Sequence, residues 1–443
     1  MARAREIALE ILTRVEEDRA FADLLLDHHL STGDLDPRDC GLATELTYGV
    51  LRWRGRLDAY LRETSHRPLA TLPSWLRNLL RLGAYQCLFL DRVPPHAAVH
   101  ESVKLARERG HEGIALFVNA VLRTLLRKGR ALPEPDDPIE ALALRHAFPP
   151  WLVRRWVARS GGEEAELLMN ALNERPPFTI RINTLRLTRE EIILRLKSEG
   201  VEALPTRHAP DGLILETPLL PDVSPSYREG LWTVQDEASI LIGHFLSPKP
   251  GERIADLCAA PGGKTTHLAQ LMGNRGQILA VDPHAGRLEL TRKACRRFGA
   301  TIVESVLGEA QTLGHRASFD RVLVDAPCSN LGILRRAPEL KWNRREEELS
   351  QLADTQTEIL RAAAALVRPG GVLVYSTCSL EPEENEAVVG ALRATHPEFA
   401  PHLPRPDEPA APFTNEDGVF RAVPHRHGTD GFTAFRLIKG GLA

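Results

Sequence analysis

Two hydrophobic periods divide the chain. Over residues 1–130 the apolar positions recur every three or four residues. Ile7, Leu9, Ile11, Leu12 and Val15 form a rough stripe, and residues 72–90 and 115–126 continue it. That is the spacing of amphipathic helices packed on a common core. Pro94 and Pro95 punctuate the pattern, and residues 96–109 resume it. Residues 132–138 are proline-rich and acidic and are expected to be extended. Residues 139–177 return to the helical period, with Trp151 and Trp156 as packing residues. Residues 178–216 read strand–helix–strand. Residues 178–183 are β-like, and 213–215 supply a return strand. The helix between them opens on Thr188, with Glu191 three residues on as a capping box, and stops at Gly200. From Gly230 onward short apolar runs alternate with helical stretches. Strands are expected at 253–257, 277–281, 321–324 and 371–375, and helices at 265–272, 286–298 and 345–367. That alternation predicts a doubly wound α/β domain with a mainly parallel sheet and ligands at the carboxyl ends of its strands.

The expected architecture is therefore an all-α N-terminal bundle, a small α/β lobe, and an α/β, Rossmann-like C-terminal domain. The expected boundaries are 1–132, 139–229 (helices and lobe) and 230–443. Residues 401–412 are expected to form a proline-rich surface loop.

Composition narrows the function classes. The chain has 443 residues and a net charge of −3, so it is not a basic protein. Residues 1–130 hold 20 Lys+Arg against 17 Asp+Glu, which leaves the remainder acidic. Binding of an anionic polymer would need local patches. Three exist: Arg52, Arg54, Arg56, Arg62 and Arg67; Arg287, Arg292, Lys293, Arg296 and Arg297; and Arg335, Arg336, Lys341, Arg344 and Arg345. Each also reads as an ordinary solvated face. No run approaches a membrane span, and the first residues lack the pattern of a signal peptide. The six cysteines are scattered without a C-x-x-C pair, which favours neither a disulfide framework nor a zinc site. A soluble cytoplasmic monomer without a metal is expected.

The chemistry sits at four strand ends. After the first strand comes a tight loop of small residues, Cys258, Ala259, Ala260, Pro261, Gly262 and Gly263, followed by Lys264 and a helix. Its spacing matches neither a dinucleotide fingerprint nor a P-loop. Asp282 ends the second strand. There it accepts hydrogen bonds from ribose hydroxyls or caps the helix that follows. The third and fourth ends carry Asp325-Ala-Pro-Cys328 and Tyr375-Ser-Thr-Cys378. A lone buried cysteine is usually inert core. Two at the ligand-facing edge of one sheet read better as paired active-site thiols. One reaction needs an adenosine-type methyl donor and a nucleophilic thiol, namely methylation of a pyrimidine at C5. Thiolate addition at C6 makes C5 nucleophilic, and a carboxylate such as Asp325 must hydrogen-bond the N3/N4 edge of the base. The base must be unpaired or flipped out. The sequence does not rank the two thiols.

Two resemblances sharpen this. The run Pro94-Pro-His-Ala-Ala-Val-His-Glu-Ser-Val-Lys-Leu-Ala106, with Phe117-Val-Asn-Ala-Val-Leu-Arg123, resembles the NusB family of helical RNA-binding domains. The runs Val234-Gln-Asp-Glu-Ala-Ser239, Asp256-Leu-Cys-Ala-Ala-Pro-Gly-Gly-Lys-Thr-Thr266, Asp325-Ala-Pro-Cys-Ser329, Lys341-Trp342, Tyr375-Ser-Thr-Cys-Ser379 and Pro382-Glu-Glu-Asn385 resemble the Nol1/Nop2/Sun family of RNA cytosine-C5 methyltransferases. With both halves present, the chain resembles the bacterial Sun/Fmu group, which modifies small-subunit (16S) ribosomal RNA. The resemblance implies S-adenosylmethionine against the loop from Cys258 to Lys264, with Asp282 on the ribose and Arg287 and Asp325 in the same cofactor set. It implies Cys378 as nucleophile, Cys328 assisting product release, Asp325 at the base edge, and Lys264 at the cofactor or base edge. The family usually places an acidic residue, mostly Asp, after the third strand. Glu309 is the counterpart here. A transfer-RNA substrate, or a non-catalytic RNA-binding assembly factor, are the alternative readings.

Overall fold

The helical period of the N-terminal third is realised as six helices: Ala2–Asp18, Ala22–Thr32, Pro37–Arg62, Ser74–Phe89, Pro95–Arg109 and Glu112–Lys128. The structure is a computed structural model and describes residues 2–440 apart from 33–34, 218, 220 and 314–317. The third helix shows why these residues start where they do. Asp36 accepts from the backbone N–H groups of Arg38 (2.8 Å) and Asp39 (2.9 Å), and Pro37 occupies the first turn, where no donor is needed. The apolar stripe, with Leu9, Ile11, Leu12, Leu46, Leu79 and Leu122, is buried in one core. Arg81 is also buried there, and its charge is met by Asp58 (2.6 Å) and Glu16 (2.9 Å).

These helices form one compact unit with residues up to Glu174 and with Leu334–Glu346 from much later in the chain. The later segment is built into the unit's interior. Trp342 Nε1 donates to the Leu51 carbonyl (2.8 Å), and Gly55 leaves room for the indole, since a Cβ there would lie 2.7 Å from it. Lys341 is fully buried. Its amine lies 3.6 Å from the centre of the Phe148 ring and donates to Asn173 Oδ1 at 2.5 Å. Burial pushes this lysine well below its ordinary pKa. Arg335 is buried as well. The third basic cluster is therefore not a continuous solvated face, because two of its five cations point inward.

The second unit comprises Arg175–Ile333 and Glu347–Ala443. Its lobe is a four-stranded antiparallel sheet, β1 (Phe178–Ile182), β2 (Ala203–Pro205), β3 (Gly212–Leu215) and β4 (Trp232–Val234), in the order β2-β3-β1-β4. The helix Arg189–Ser198 carries the expected capping box, with Glu191 N donating to Thr188 Oγ1 and Thr188 N to Glu191 Oε2. Neither β2 nor β4 is legible in the sequence. At three residues each, neither is long enough to show an alternating pattern.

The main sheet contains β5 (Arg253–Leu257), β6 (Gln277–Asp282), β7 (Val303–Leu307), β8 (Phe319–Asp325), β9 (Val367–Thr377), β10 (Phe399–Pro401), β11 (Val419–Ala422) and β12 (Phe432–Lys439). Its order is β10-β12-β9-β8-β5-β6-β7, with β11 also on β12. β9, β8, β5, β6 and β7 run parallel, and β12 turns antiparallel onto β9. The chain winds from β5 outward to β7, then builds the other half from β8. The strand order thus reverses between β5 and β8, where an open parallel sheet makes its ligand crevice. The helix expected from 345 begins at Glu348, because the preceding residues serve the first unit.

Two buried side-chain clusters tie the lobe to this sheet. Arg181 of β1 is fully buried and donates to Gln235 Oε1 (2.8 Å), Thr266 Oγ1 (2.8 Å) and the Gly263 carbonyl (2.6 Å). Asp211, just before β3, accepts from His267 Nε2 (2.7 Å), His244 Nε2 (3.0 Å) and Gln270 Nε2 (3.0 Å). Asp211, His244 and His267 place possible metal-donor atoms within 4.8 Å of one another. The hydrogen bonds already account for the arrangement.

Candidate active site

The carboxyl ends of β5 and β6 form the first wall. Cys258 takes a left-handed backbone (φ +72°), which a non-glycine residue holds only where its surroundings fix it. Ala259 N donates to the Val281 carbonyl (2.9 Å), stitching the loop to β6. Pro261 leads to Gly262, which has φ +100°. A Cβ there would lie 2.9 Å from the Thr291 backbone, so only glycine fits. Gly263 and Lys264 then open the helix Gly263–Leu271. Asp282 is buried at the end of β6 and accepts from Ala260 N (3.3 Å) and His284 N (3.0 Å). It does not occupy the N-cap of the next helix, a position held by His284. Arg287 donates to the Ala260 carbonyl (3.1 Å), bracing the loop from that helix. Glu309 follows β7 and is exposed, while its neighbour Gly308 donates to the Asp282 carbonyl (3.2 Å).

Asp256, within β5, was not among the residues marked from the sequence as contacting a ligand. It is buried, and burial above all pushes its carboxyl up to about 7. Thr265 opposes that through a 2.6 Å hydrogen bond, while Asp325 and Asp282 add to it. Its second oxygen is buried without a hydrogen-bond partner.

The carboxyl ends of β8 and β9 form the second wall. Asp325 Oδ2 accepts from Lys264 Nζ (2.7 Å), and its Oδ1 from Ser376 Oγ (2.8 Å). The Lys264 amine also lies 5.2 Å from the Phe432 ring centre. Beyond Asp325 the two cysteines meet, with Cys328 Sγ and Cys378 Sγ 3.3 Å apart and not bonded. Asn330 Oδ1 lies 2.8 Å from Cys378 Sγ and 3.2 Å from Cys328 Sγ. The neighbouring Cys328 thiol first, then burial, push the Cys378 thiol well above its ordinary pKa, and Lys264 acts in the opposite direction. Cys258 is pushed up to about 12 by burial, then by the surrounding carboxylates, which fits a structural thiol.

Comparison with known proteins decides the family. The family model for 16S rRNA methyltransferase RsmB/F matches residues 243–438, the NusB family residues 2–127, and an RsmF/B-like ferredoxin-like domain residues 148–221. A probable ribosomal RNA small subunit methyltransferase B of Bacillus subtilis is 38% identical over 99% of both chains. The chain belongs to the RsmB/F methyltransferase family. Ribosomal RNA small subunit methyltransferase B of Klebsiella pneumoniae is 34% identical over 98% of both chains. Among solved structures, PH0851 superposes with a TM-score of 0.85 at 31% identity, covering 98% of this chain and 99% of that one. NSun6 from Pyrococcus horikoshii, solved with SFG, gives 0.60 at 27% identity over 67% of this chain and all of that one.

As an RsmB/F-family enzyme this protein is a methyltransferase that uses S-adenosylmethionine. The first wall fits that cofactor. It offers two acceptor side chains, Asp256 with an unused oxygen and Asp282. They suit hydroxyl donors and positive charge and have the wrong sign for a polyphosphate. Lys264, which would anchor a phosphate in a P-loop, is turned to Asp325 instead. The structure thus brings Cys258 to Lys264, Asp282 and Arg287 together around one loop. It brings Lys264, Asp325, Cys328 and Cys378 together on the adjoining strand ends. Sequence reasoning missed Asn330 and Ser376, whose partners Cys378 and Asp325 lie about fifty positions away along the chain.

Proposed function

We propose that this protein methylates C5 of a cytosine in small-subunit ribosomal RNA through a covalent adduct at C6. The observation that carries the reading is the pair of unbonded thiols 3.3 Å apart, beside a carboxylate held by a lysine, at the ligand-facing strand ends. Cys378, taken as nucleophile from the family resemblance, gives its proton to water and bonds to C6. The ring's electron pair moves to C5, which becomes the nucleophile for methyl transfer. S-adenosylmethionine, when bound, supplies an electrophilic methyl group. Asp325, already held by Lys264 and Ser376, engages the N3/N4 edge as electron density moves onto the ring. Water then takes the C5 proton, its electron pair restores the C5–C6 double bond, the S–C6 bond breaks with Cys378 leaving as thiolate, and Cys328 assists that release.

Bisulfite sequencing of ribosomal RNA from cells with and without the gene tests the reading. One protected cytosine in the small-subunit RNA should disappear with the gene and return with the wild-type protein but not with Cys378→Ala. Protection that moves instead to transfer RNA, or that Cys378→Ala restores, would overturn it.

A further inference from the structure

We infer that Glu384 is a positioning residue that brackets the two thiol-bearing loops and fixes the cysteines relative to one another. The inference rests on the two-thiol reading above. Glu384 ends the single turn Pro382–Glu384 after β9 and is completely buried. Its Oε1 accepts from Ser329 N (2.7 Å) and Gln356 Nε2 (3.0 Å). Its Oε2 accepts from Ser329 Oγ (2.5 Å) and Ser379 Oγ (2.5 Å). Ser329 directly follows Cys328, and Ser379 directly follows Cys378. One carboxylate therefore grips the residue next to each thiol.

A carboxylate suits the task because it offers two acceptor oxygens with about four lone-pair sites, and here four donors from three segments use them. All four donors are neutral. A buried charge without a cation is costly unless every lone pair is met. That cost is carried at a site whose effect is to join two loops. Gln356 extends the grip, since its Nε2 also donates to the Pro327 carbonyl (2.9 Å), the residue before Cys328. Tyr375 Oη holds the Glu384 carbonyl (2.5 Å) from below. Other ties between the loops include the Gly332 N–H to the Cys378 carbonyl at 2.9 Å and the shared Asn330 oxygen. Release needs the second thiol beside the one already bonded to the base. Loosening this bracket should therefore harm release more than binding.

The test follows the RNA–protein adduct on gels and in single-turnover kinetics for Glu384→Ala, Glu384→Gln and Cys328→Ala in the full-length protein. Glu384→Ala should bind cofactor and RNA within about threefold of wild type yet release product roughly 100-fold more slowly, the scale expected for misplacement of about 1 Å. Glu384→Gln keeps the shape, and its amide can donate to hydroxyls that turn to accept. It should restore release to within about tenfold of wild type. Should Glu384→Ala fail to fold, Ser329→Ala/Ser379→Ala removes the hydroxyl half of the bracket and should slow release in the same direction. Wild-type release in either of these, or a Glu384→Gln variant as impaired as Glu384→Ala, would overturn the positioning role. Cys328→Ala separates the levels. Adduct there with none in Glu384→Ala sinks the bracket alone, whereas no adduct in Cys328→Ala sinks the two-thiol reading and this inference with it.

Discussion

Asp211 and Glu384 are both buried carboxylates in the second unit, and each joins segments far apart in sequence, but their partners differ in kind. Asp211 is met by two imidazoles and an amide and ties the lobe to the helices of the main sheet. Glu384 is met by two hydroxyls, a backbone N–H and an amide, and ties two loops of the site. Imidazoles titrate near neutrality, whereas hydroxyls and backbone groups do not. The donors at the lobe attachment therefore include imidazoles, and those at the thiol loops are hydroxyls, a backbone N–H and an amide. The difference separates what keeps the unit together from what keeps the chemistry aligned.

The largest expected effect lies on the thiol side. Cys328→Ala should cut turnover by about 100-fold or more, with the adduct accumulating on gels. It also removes the main cause of the raised Cys378 pKa, so the pH profile of adduct formation should move to lower pH. An unshifted profile would mean that burial, not the neighbouring thiol, sets that pKa. Next, Asp211→Ala strands three donors and should cost about 3 kcal/mol of stability, read from the urea midpoint. The adduct's lifetime should stay unchanged. A longer-lived adduct in this variant would show that the lobe attachment also governs alignment.

The smallest effect is a pH dependence. Burial, the largest cause, holds His267 down at about 4 against an ordinary 6.5. Asp211 raises it, while Arg181 and His244 lower it further. Between those two values the unfolded chain binds a proton that the folded protein does not. The contribution is therefore fully present above about pH 6.5 and is lost as pH falls toward about 4. The melting temperature should drop across that window, and His267→Gln should flatten the drop. Equal slopes in both proteins would place the responsible group elsewhere.

Much of this was legible in the chain itself, for identifiable reasons. β5, β6, β8 and β9 are buried apolar runs, and each ends on or just before a residue whose chemistry stands out, so the four corners of the site can be marked. β7 is only partly buried and carries Glu304 and Ser305, so it shows no apolar run. β12 is apolar, but its antiparallel place beside β9 is set by packing, not by its own pattern. Asn330, Ser376 and Gln356 look like ordinary polar residues until the fold sets them beside partners some thirty to fifty positions away. Glu384 stood inside a recognisable motif, yet its four hydrogen bonds could not be inferred from spacing. The basic cluster around Lys341 shows the opposite failure. Charge alone suggested solvent, and the fold buried the amine against Phe148.

The return of Leu334–Glu346 to the helical unit has a consequence for how the protein is made. β8 and β9 are neighbours in the sheet, yet the ribosome must deliver a piece of the other unit between them. The N-terminal helices emerge early but wait for Trp342 before their last interior place is filled. The second unit waits in turn for the chain to come back at Glu347. Neither unit is a contiguous stretch of sequence, so no single cut releases one whole. The last piece of the first unit is made while the second is still incomplete, which links their assembly in time.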